Sequence, residues 1–443
     1  MSSYRKIYNQ IGLYCGPSPS TGYNYLDFNG NPTNSIYCNA NGLTGYSYNL
    51  IQPIVMVQSF AYSIDESRID LKNLGFNKTM ARPSISYNPV SFNYSYIPIG
   101  LINEARMGFS FNYPSGNVLT NNPISTGNIP FLSGFYDRSN LQTNIFNFTN
   151  NFGSNVSWPR TQTDSRNFFI ATSDYLTDFN SSNILTQTLN NTTGTFITAP
   201  ITVYSFGNSF IDSYQISFSV GSLPIASCSY TCDNFISQAG GSGNISPYST
   251  PKSFQLNPNN TYSLPCVNTG IVSYSPLLPS NVTFFIKESN GSGILSNLPI
   301  NSNDLKLQRF DISINFNREP LFSVGFPFPI DRPLNYPIFA NLSLTSLVGD
   351  SMAGSLYGLL FNDVEYDIKI DLKYPSYSKY KNSTAISYLF KNAKFNSSKS
   401  SDSIGSNRIS DLSFSCECVP NSTTKGFFIS GLLGVDQLNY PLY

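Results

Sequence analysis

The sequence contains no histidine in its 443 residues. This absence excludes the Ser-His-Asp and Cys-His arrangements of nucleophilic catalysis and every zinc site that needs an imidazole ligand. Carboxylate pairs such as Asp65–Glu66 and Glu365–Asp367 remain, but nothing in the sequence places them in a pocket. We therefore expect no enzyme activity, no catalytic residue and no cofactor.

Charged residues are scarce as well. They make up 11% of the chain, against roughly 25% in an average soluble protein. The 25 basic and 25 acidic side chains balance, so no net field attracts the chain to nucleic acid or to an anionic membrane. Aromatic residues reach 15%, with 30 Tyr and 34 Phe. Low charge combined with many tyrosines favours a protein whose surface is covered by protein–protein contacts.

Long apolar segments are also lacking. No stretch approaches the roughly 18 residues of a membrane span, so we expect no membrane span. The first residues, MSSYRKIYNQIGLYCG, do not have the apolar centre of a secretory signal. Together with an odd number of cysteines, seven, this favours reduced thiols and assembly in a cytosolic compartment.

The cysteines suggest one metal hypothesis, a four-thiolate zinc site built from Cys228, Cys232, Cys416 and Cys418. The spacings CSYTC and CEC differ from the usual C-x2-C pattern of zinc sites. Disulfides and buried free thiols are the two alternatives. We expect buried free thiols and no metal.

An internal repeat carries the main structural prediction. VQSFAYSIDESRIDLKNLGFNKTMARP, which begins at Val57, aligns with LQRFDISINFNREPLFSVGFPFPIDRP at a constant offset of 250 residues. Ten of the 26 positions from 58 to 83 are identical, where unrelated sequences would share roughly two. Such self-similarity indicates a duplicated domain.

A second repeated block supports the same interpretation. Residues 204–232 align with 388–416 at an offset of 184, and Tyr204/Tyr388 and Cys232/Cys416 are among the identities. Because the offsets are 250 and 184, the first copy carries about 66 additional residues between its blocks. The Asn/Thr-rich region at about 105–200 is where we expect them.

Alternation of apolar and polar residues in these blocks predicts half-buried strands. Examples are Phe60, Tyr62 and Ile64 in copy one. We predict an all-β fold of two tandem β-sandwich or β-barrel domains, with short helices near Ala353–Leu360 and Leu71. The predicted ranges are an N-terminal arm (1–50), copy one (51–235, with the insertion), a linker with an extra strand at Val282–Lys287 (236–300), copy two (301–418) and a tail (419–443).

Several residues that both copies share are candidate turn or subunit-contact residues. Arginines stand out because charge is so scarce in this chain. They are explained either by contacts that stabilise a turn or by salt bridges between subunits. Shared glycines indicate turns with positive φ. The candidates are Arg68, Arg82, Gly75 and Gly221 in copy one, and Arg318, Arg332, Gly325 and Gly405 in copy two.

The repeat blocks resemble phage tail-tube-type virion structural proteins. The residues that carry the resemblance are SIDESR followed by LG and RP (63–83), INFNRE followed by VG and RP (314–333), LVGD (347–350), and 388–431. Copy one has Pro98-Ile99-Gly100 where copy two has LVGD. The resemblance covers most of copy two and the repeat blocks of copy one.

The resemblance implies a β-barrel ring that stacks into a tail tube, the conduit through which genomic DNA leaves the virion. Two copies per chain imply a trimer that forms a pseudo-hexameric ring. The implied partners are further copies of the chain, other tail proteins, and DNA that passes through the lumen without sequence-specific binding. Alternatives are a tail hub or neck protein, a capsid decoration protein, or an adhesin that binds a carbohydrate or receptor.

Overall fold

A computed structural model describes a large part of the chain. The described residues are 11–17, 25–26, 32–33, 37–39, 47–49, 52–64, 68–71, 79–83, 89–107, 109, 148–149, 155–156, 166–172, 202–239, 276–289, 300–301, 306–322, 324, 329, 332–347, 364–375, 383–401, 409–419, 422 and 424–432.

Most of these residues lie in strands. They also include one short α-helix, α1 (Ile102–Met107), and one 3-10 turn at Pro279–Asn281. The strands are β1 (Ile11–Pro17), β2 (Tyr25–Leu26), β3 (Pro32–Thr33), β4 (Tyr37–Asn39), β5 (Ser47–Asn49), β6 (Gln52–Pro53), β7 (Val57–Ile64), β8 (Val90–Tyr96), β9 (Phe148–Thr149), β10 (Asn155–Val156), β11 (Arg166–Thr172), β12 (Thr202–Ser219), β13 (Ile225–Ala239), β14 (Val282–Glu288), β15 (Ile300–Asn301), β16 (Leu307–Asn315), β17 (Phe339–Leu347), β18 (Glu365–Lys373), β19 (Thr384–Ser401), β20 (Ile409–Glu417) and β21 (Gly426–Gly431).

The all-β fold is confirmed. Fifteen strands belong to one antiparallel sheet, and three small ribbons pair β2 with β3, β4 with β5, and β9 with β10. Among the described residues, no helix is long and apolar enough to span a membrane.

The alternating pattern of the sequence determines which face of each strand enters the core. In β8, for example, Val90, Phe92, Tyr94 and Tyr96 are buried while Ser91 and Asn93 are exposed. The buried rings pack on one another: the Phe92 ring stacks on Phe206 at a centroid distance of 4.7 Å. Truncating such a ring to alanine would cost about 3–5 kcal/mol.

The sheet consists of two halves with the same strand order. In the N-terminal half (11–239) the neighbours run β6-β1-β11-β12-β13-β8-β7, and in the C-terminal half (276–432) they run β15-β14-β18-β19-β20-β17-β16. In both halves the first two strands of the series, β6 and β1 or β15 and β14, also come first in the chain. Each of the seven strands in one series therefore has a counterpart in the other.

The pairing registers correspond as well. Tyr94 pairs with Cys228 in the N-terminal half, and the residues 250 and 184 positions further on, Leu344 and Leu412, pair in the C-terminal half. The register shift between Ile211 and Ser213 in β12 recurs 184 residues later between Phe395 and Ser397 in β19. The two sequence offsets thus relate structurally equivalent positions.

The repeated Gln58/Gln308 has a local structural explanation. The residues two positions earlier, Met56 and Lys306, have positive φ angles of 58° and 42°. Each glutamine donates a hydrogen bond from its side-chain amide to the carbonyl of that residue, at 3.1 Å for Gln58 and 3.2 Å for Gln308. The glutamine therefore stabilises the turn that starts β7 and β16.

Other sequence predictions differ from the structure. The helix predicted near Leu71 is wrong, because Leu71 bridges Ala81 in an antiparallel arm between β7 and β8. The helix predicted at 353–360 lies outside the described residues. The strand predicted at Val282–Lys287 is confirmed as β14. It pairs with β18, while β1, within the predicted N-terminal arm, pairs with β11.

The additional residues of the N-terminal half fall on both sides of β11. Phe168 pairs with Phe206 in the N-terminal half. Ile368 pairs with Phe390, the counterpart of Phe206, in the C-terminal half, so β11 and β18 are related by an offset of 200. Of the 66 additional residues, 50 therefore precede β11 and 16 follow it. The region predicted as one insertion at 105–200 contains a strand of the main sheet.

Candidate interface site at the junction of the two halves

The two halves are joined by direct strand pairing between β12 and β16. Tyr214 pairs with Ile314, Ile216 with Ile312, and Phe218 with Phe310. All six side chains are buried, and the rings of Phe218 and Phe310 stack at 4.6 Å with an interplanar angle of 13°. The main sheet therefore continues from one half into the other through an apolar contact.

The length of β12 makes this pairing possible. Its first part, up to Ser209, pairs with β11, and its second part, from Ser213, pairs with β16. The change of partner falls at the bulge between Ile211 and Ser213. There the Asp212 carbonyl accepts a hydrogen bond from the Phe316 amide at 2.8 Å. A β-bulge redirects a strand, and this one directs β12 from its own half to the next.

Two of the predicted arginines, Arg318 and Arg332, lie at this junction. The Arg318 guanidinium donates to the Ile211 carbonyl at 2.9 Å and to the Arg332 carbonyl at 2.8 Å. Arg332 donates to the Asp233 carboxylate at 3.1 Å, with side chains only 8% and 3% exposed. Both guanidinium groups also lie over the Phe210 ring, at 5.3 Å and 5.9 Å from its centre. The C-terminal half thus contacts β12 through Arg318 and binds β13 through the buried Arg332–Asp233 ion pair.

The equivalent arginines of the N-terminal half have different surroundings. Arg68 and Arg82 lie in the exposed arm between β7 and β8. Arg82 forms an ion pair with Asp70 of the same arm, and the side chains are 67% and 39% exposed. The hydrogen bond from Arg82 lowers the pKa of Asp70. The structure does not bring these two arginines together with Arg318 and Arg332.

Of the predicted turn glycines, Gly221 lies in the β12–β13 hairpin with a φ of 83°. Gly75, Gly325 and Gly405 lie outside the described residues.

A buried glutamate at the junction was missed by the sequence analysis. Glu104 of α1 is fully buried, and its Oε1 accepts hydrogen bonds from Tyr96 at 2.6 Å and Tyr214 at 3.1 Å. Burial raises the pKa of Glu104 to about 7, although both tyrosine hydroxyls act in the opposite direction. Within the described part of the chain, Glu104 Oε2 and the hydroxyl of Tyr388 have no hydrogen-bond partner.

Tyr388 belongs to β19 of the C-terminal half. Burial, followed by the negative charge of Glu104, raises the pKa of Tyr388 well above the usual value. The Glu104 carboxyl therefore interacts electrostatically with residues of both halves. Further contacts support the same junction: the Tyr374 hydroxyl donates to the Ile99 carbonyl at 2.8 Å, and the Leu101 amide donates to the Leu432 carbonyl at 2.9 Å. The signal available in the sequence was one acidic residue in the mostly apolar stretch PIGLINEARM, which also contains Asn103 and Arg106.

The four cysteines of the zinc hypothesis are buried and form no disulfide bond. Burial raises the pKa of each of these thiols, for Cys416 to about 12 and well above the usual value for Cys228. Protonated thiols are poor metal ligands. The described residues contain no group of three or more His, Cys, Asp or Glu side chains that could hold a metal ion.

Two of the open strand edges of the main sheet, among the described strands, correspond to the edges that form the junction. β7 pairs with β8 on one side only. The end of β19, from Ser397 to Ser401, pairs with β20 on one side, and β18 pairs with β19 only as far as Lys394. These edges are the counterparts of β16 and of the end of β12, the two edges that meet inside the chain.

No known protein family matches the sequence, and no curated protein matches it. Similar solved structures come from contractile injection systems. The anti-feeding prophage baseplate, 6-fold symmetrised, is 13% identical with a TM-score of 0.25, covering 37% of this chain and 98% of that chain. The cap that terminates the anti-feeding prophage tube is 14% identical with a TM-score of 0.25, covering 37% and 96%. A sheath-tube complex of an extracellular contractile injection system is 12% identical with a TM-score of 0.23, covering 34% and 88%.

Proposed function

We propose that this protein is a non-enzymatic structural protein of a phage-type virion tail, in which three chains close a ring of six equivalent β-domains. Stacked rings form the tail tube, and genomic DNA passes through their lumen without sequence-specific binding. The partners are other copies of the chain and neighbouring tail proteins.

The β12–β16 junction is the observation that supports a ring best. It joins two equivalent halves through two different edges, so it is a head-to-tail contact. Head-to-tail contacts that repeat produce either a closed ring or an open filament. Because each chain already contains one such junction and presents the same two edges again at its ends, further chains can be added in the same sense.

The assignment to a virion tail is supported by the sequence. The repeat blocks at 63–83 and 314–333 are those that resemble tail-tube proteins. The low charged fraction of 11% agrees with a surface that becomes covered on assembly. The balance of acidic and basic residues agrees with a conduit that does not hold DNA by net charge.

The size and symmetry of the purified assembly test this proposal. Three chains of 49.0 kDa give a ring of about 147 kDa, which native mass spectrometry would detect and electron microscopy would show as a ring with a central hole. A ring of six chains, near 294 kDa from the same chain mass, would contradict the trimer. A protein that stays monomeric at high concentration would overturn the ring altogether.

A tail hub is the second candidate, favoured by the inequality of the two halves. The N-terminal half carries 66 additional residues around β11, so a ring of three chains has three-fold rather than six-fold decoration. A hub that joins a six-fold tube to a three-fold spike needs this symmetry. Single rings that do not stack, even at high concentration, would favour the hub over the tube.

A further inference from the structure

The exposure of equivalent residues differs sharply between the two halves. Ile312 and Ile314 of β16 are 0% exposed, because β12 covers them. Their counterparts on β7, Tyr62 and Ile64, are 41% and 49% exposed. The same strand is thus a covered strand in one half and an open apolar edge in the other. An exposed apolar edge strand pairs readily with another chain.

The internal junction specifies what should cover β7. There, β16 pairs with β12 from Ser213 to Ser219. An offset of 184 relates β12 to β19, so the equivalent segment begins at Ser397, where β19 has its open edge. Transferring the register matches Ile64 with Ser398 and Tyr62 with Ser400.

The arginines give an independent indication. Arg332 of the C-terminal half pairs with Asp233 of the N-terminal half. The same two positions, shifted by 250 and 184, are Arg82 and Glu417. Glu417 ends β20 and is exposed, and its negative charge matches that of Asp233. Arg82 is therefore complementary to a site that only another chain can bring next to it in this arrangement.

We propose that β7 of one chain adds to the end of β19 of the next in the register of the internal junction, and that Arg82 then pairs with Glu417 of the neighbouring chain. The occupant of both open edges is a second copy of this chain. This contact deepens the proposed function, since it defines the surfaces that close the ring.

Arg82 changes its partner in this contact. Before assembly it is held by Asp70, with most of its side chain in solvent. The C-terminal half has Pro320 at the position equivalent to Asp70. That position therefore offers Arg332 no carboxylate. At the contact between chains, Arg68 takes the place that Arg318 has at the internal junction. It donates to the backbone carbonyl of Phe395, the counterpart of Ile211.

The proposed contact between chains (the outer contact) is more polar than the β12–β16 junction within one chain (the inner junction). Phe210, which lies under both arginines of the inner junction, is replaced by Lys394 at the equivalent position. The apolar Tyr214 and Ile216 are replaced by Ser398 and Ser400. Contacts that form only on assembly are typically less apolar than permanent ones, so we expect the outer contact to be the weaker and the reversible one.

Charge reversal tests the ion pair. Arg82→Glu and Glu417→Arg should each raise the protein concentration needed for ring formation roughly tenfold or more, because like charges then face each other. The double variant should restore assembly towards the wild-type level. Arg309→Glu is the matched control, since Arg309 also forms an exposed pair, with Asp311, but lies on β16, which already has both neighbours. It should leave assembly unchanged.

Cysteine pairs test the register. Ile64→Cys with Ser398→Cys should give disulfide-linked chains under mild oxidation, because directly opposed residues are within disulfide distance. Ile64→Cys with Lys399→Cys should not, because neighbouring strand residues point to opposite faces. Efficient cross-linking of the second pair instead of the first would overturn the proposed register.

The outcomes separate the two proposals. If the wild-type protein forms no ring, the proposed function fails together with this contact. If wild-type rings form but neither charge reversal weakens them, or the double variant assembles no better than the single ones, the ring uses another surface and only this inference is overturned. Circular dichroism of each variant at low concentration verifies that the monomer stays folded.

Discussion

Replacing Glu104 by glutamine is expected to abolish a loss of stability that the wild-type protein suffers between about pH 4.5 and about pH 7. The pKa of Glu104 is about 7 in the folded chain, against 4.5 for an ordinary glutamate. The folded state therefore keeps a proton that the unfolded state releases. The free energy of unfolding falls as the pH rises from about 4.5 to about 7 and is constant above that range.

The size of this effect follows from the shift in pKa. A difference of about two and a half pKa units corresponds to roughly 3 kcal/mol. Urea unfolding of the wild type and of Glu104→Gln at several pH values measures it, since the difference between the two proteins isolates this one group. Parallel pH profiles would contradict the prediction.

Tyr96→Phe provides a matched control for Glu104. It removes the 2.6 Å hydrogen bond that Tyr96 donates to the carboxylate and keeps the ring in the core. Because that bond lowers the pKa of Glu104, its loss should move the fall in stability to higher pH. In the Glu104→Gln background the same substitution should have no pH-dependent effect.

The second large effect is expected from the buried ion pair between Arg332 and Asp233. Asp233→Ala leaves the Arg332 guanidinium buried without its carboxylate, which typically costs about 3–5 kcal/mol. Chemical unfolding should show this loss directly. Adding Arg332→Met should recover part of it, because an apolar side chain of similar length fits a buried site better than a charge that has lost the Asp233 carboxylate.

The equivalent arginine of the N-terminal half supplies the control. Asp70→Ala removes the partner of Arg82, but this pair is exposed to solvent, and exposed pairs contribute little. The unfolding of this variant should match that of the wild type. Equal losses for Asp70→Ala and Asp233→Ala would contradict the assignment of Asp233 to a buried junction.

The strands and their registers were largely predictable from the sequence. Alternation predicted a strand that contains Phe60, Tyr62 and Ile64, which is β7. The offsets of 250 and 184 relate pairings such as Tyr94 with Cys228 and Leu344 with Leu412. These features depend on local pattern and on repetition, both of which are visible in one sequence.

The junction was not predictable in the same way. Glu104 lies on a helix of only six residues, which is too short for a periodic signal. Its pKa depends on Tyr214 and on burial, and these are set by strands far away in the chain. The repeat marked all four arginines equally. It did not indicate that Arg332 finds a buried partner while Arg82 remains on an exposed arm.

The end of β19 has a consequence for the chain before it meets any partner. Its sequence is SSKSS at 397–401, where β12 has SYQIS at 213–217. Lysine and small hydroxyl residues at a strand edge are a common protection against indiscriminate pairing and aggregation. Amyloid-like growth needs apolar, flat edges that stack on their own kind. Because this edge is protected in such a way, we expect isolated chains to resist aggregation through it.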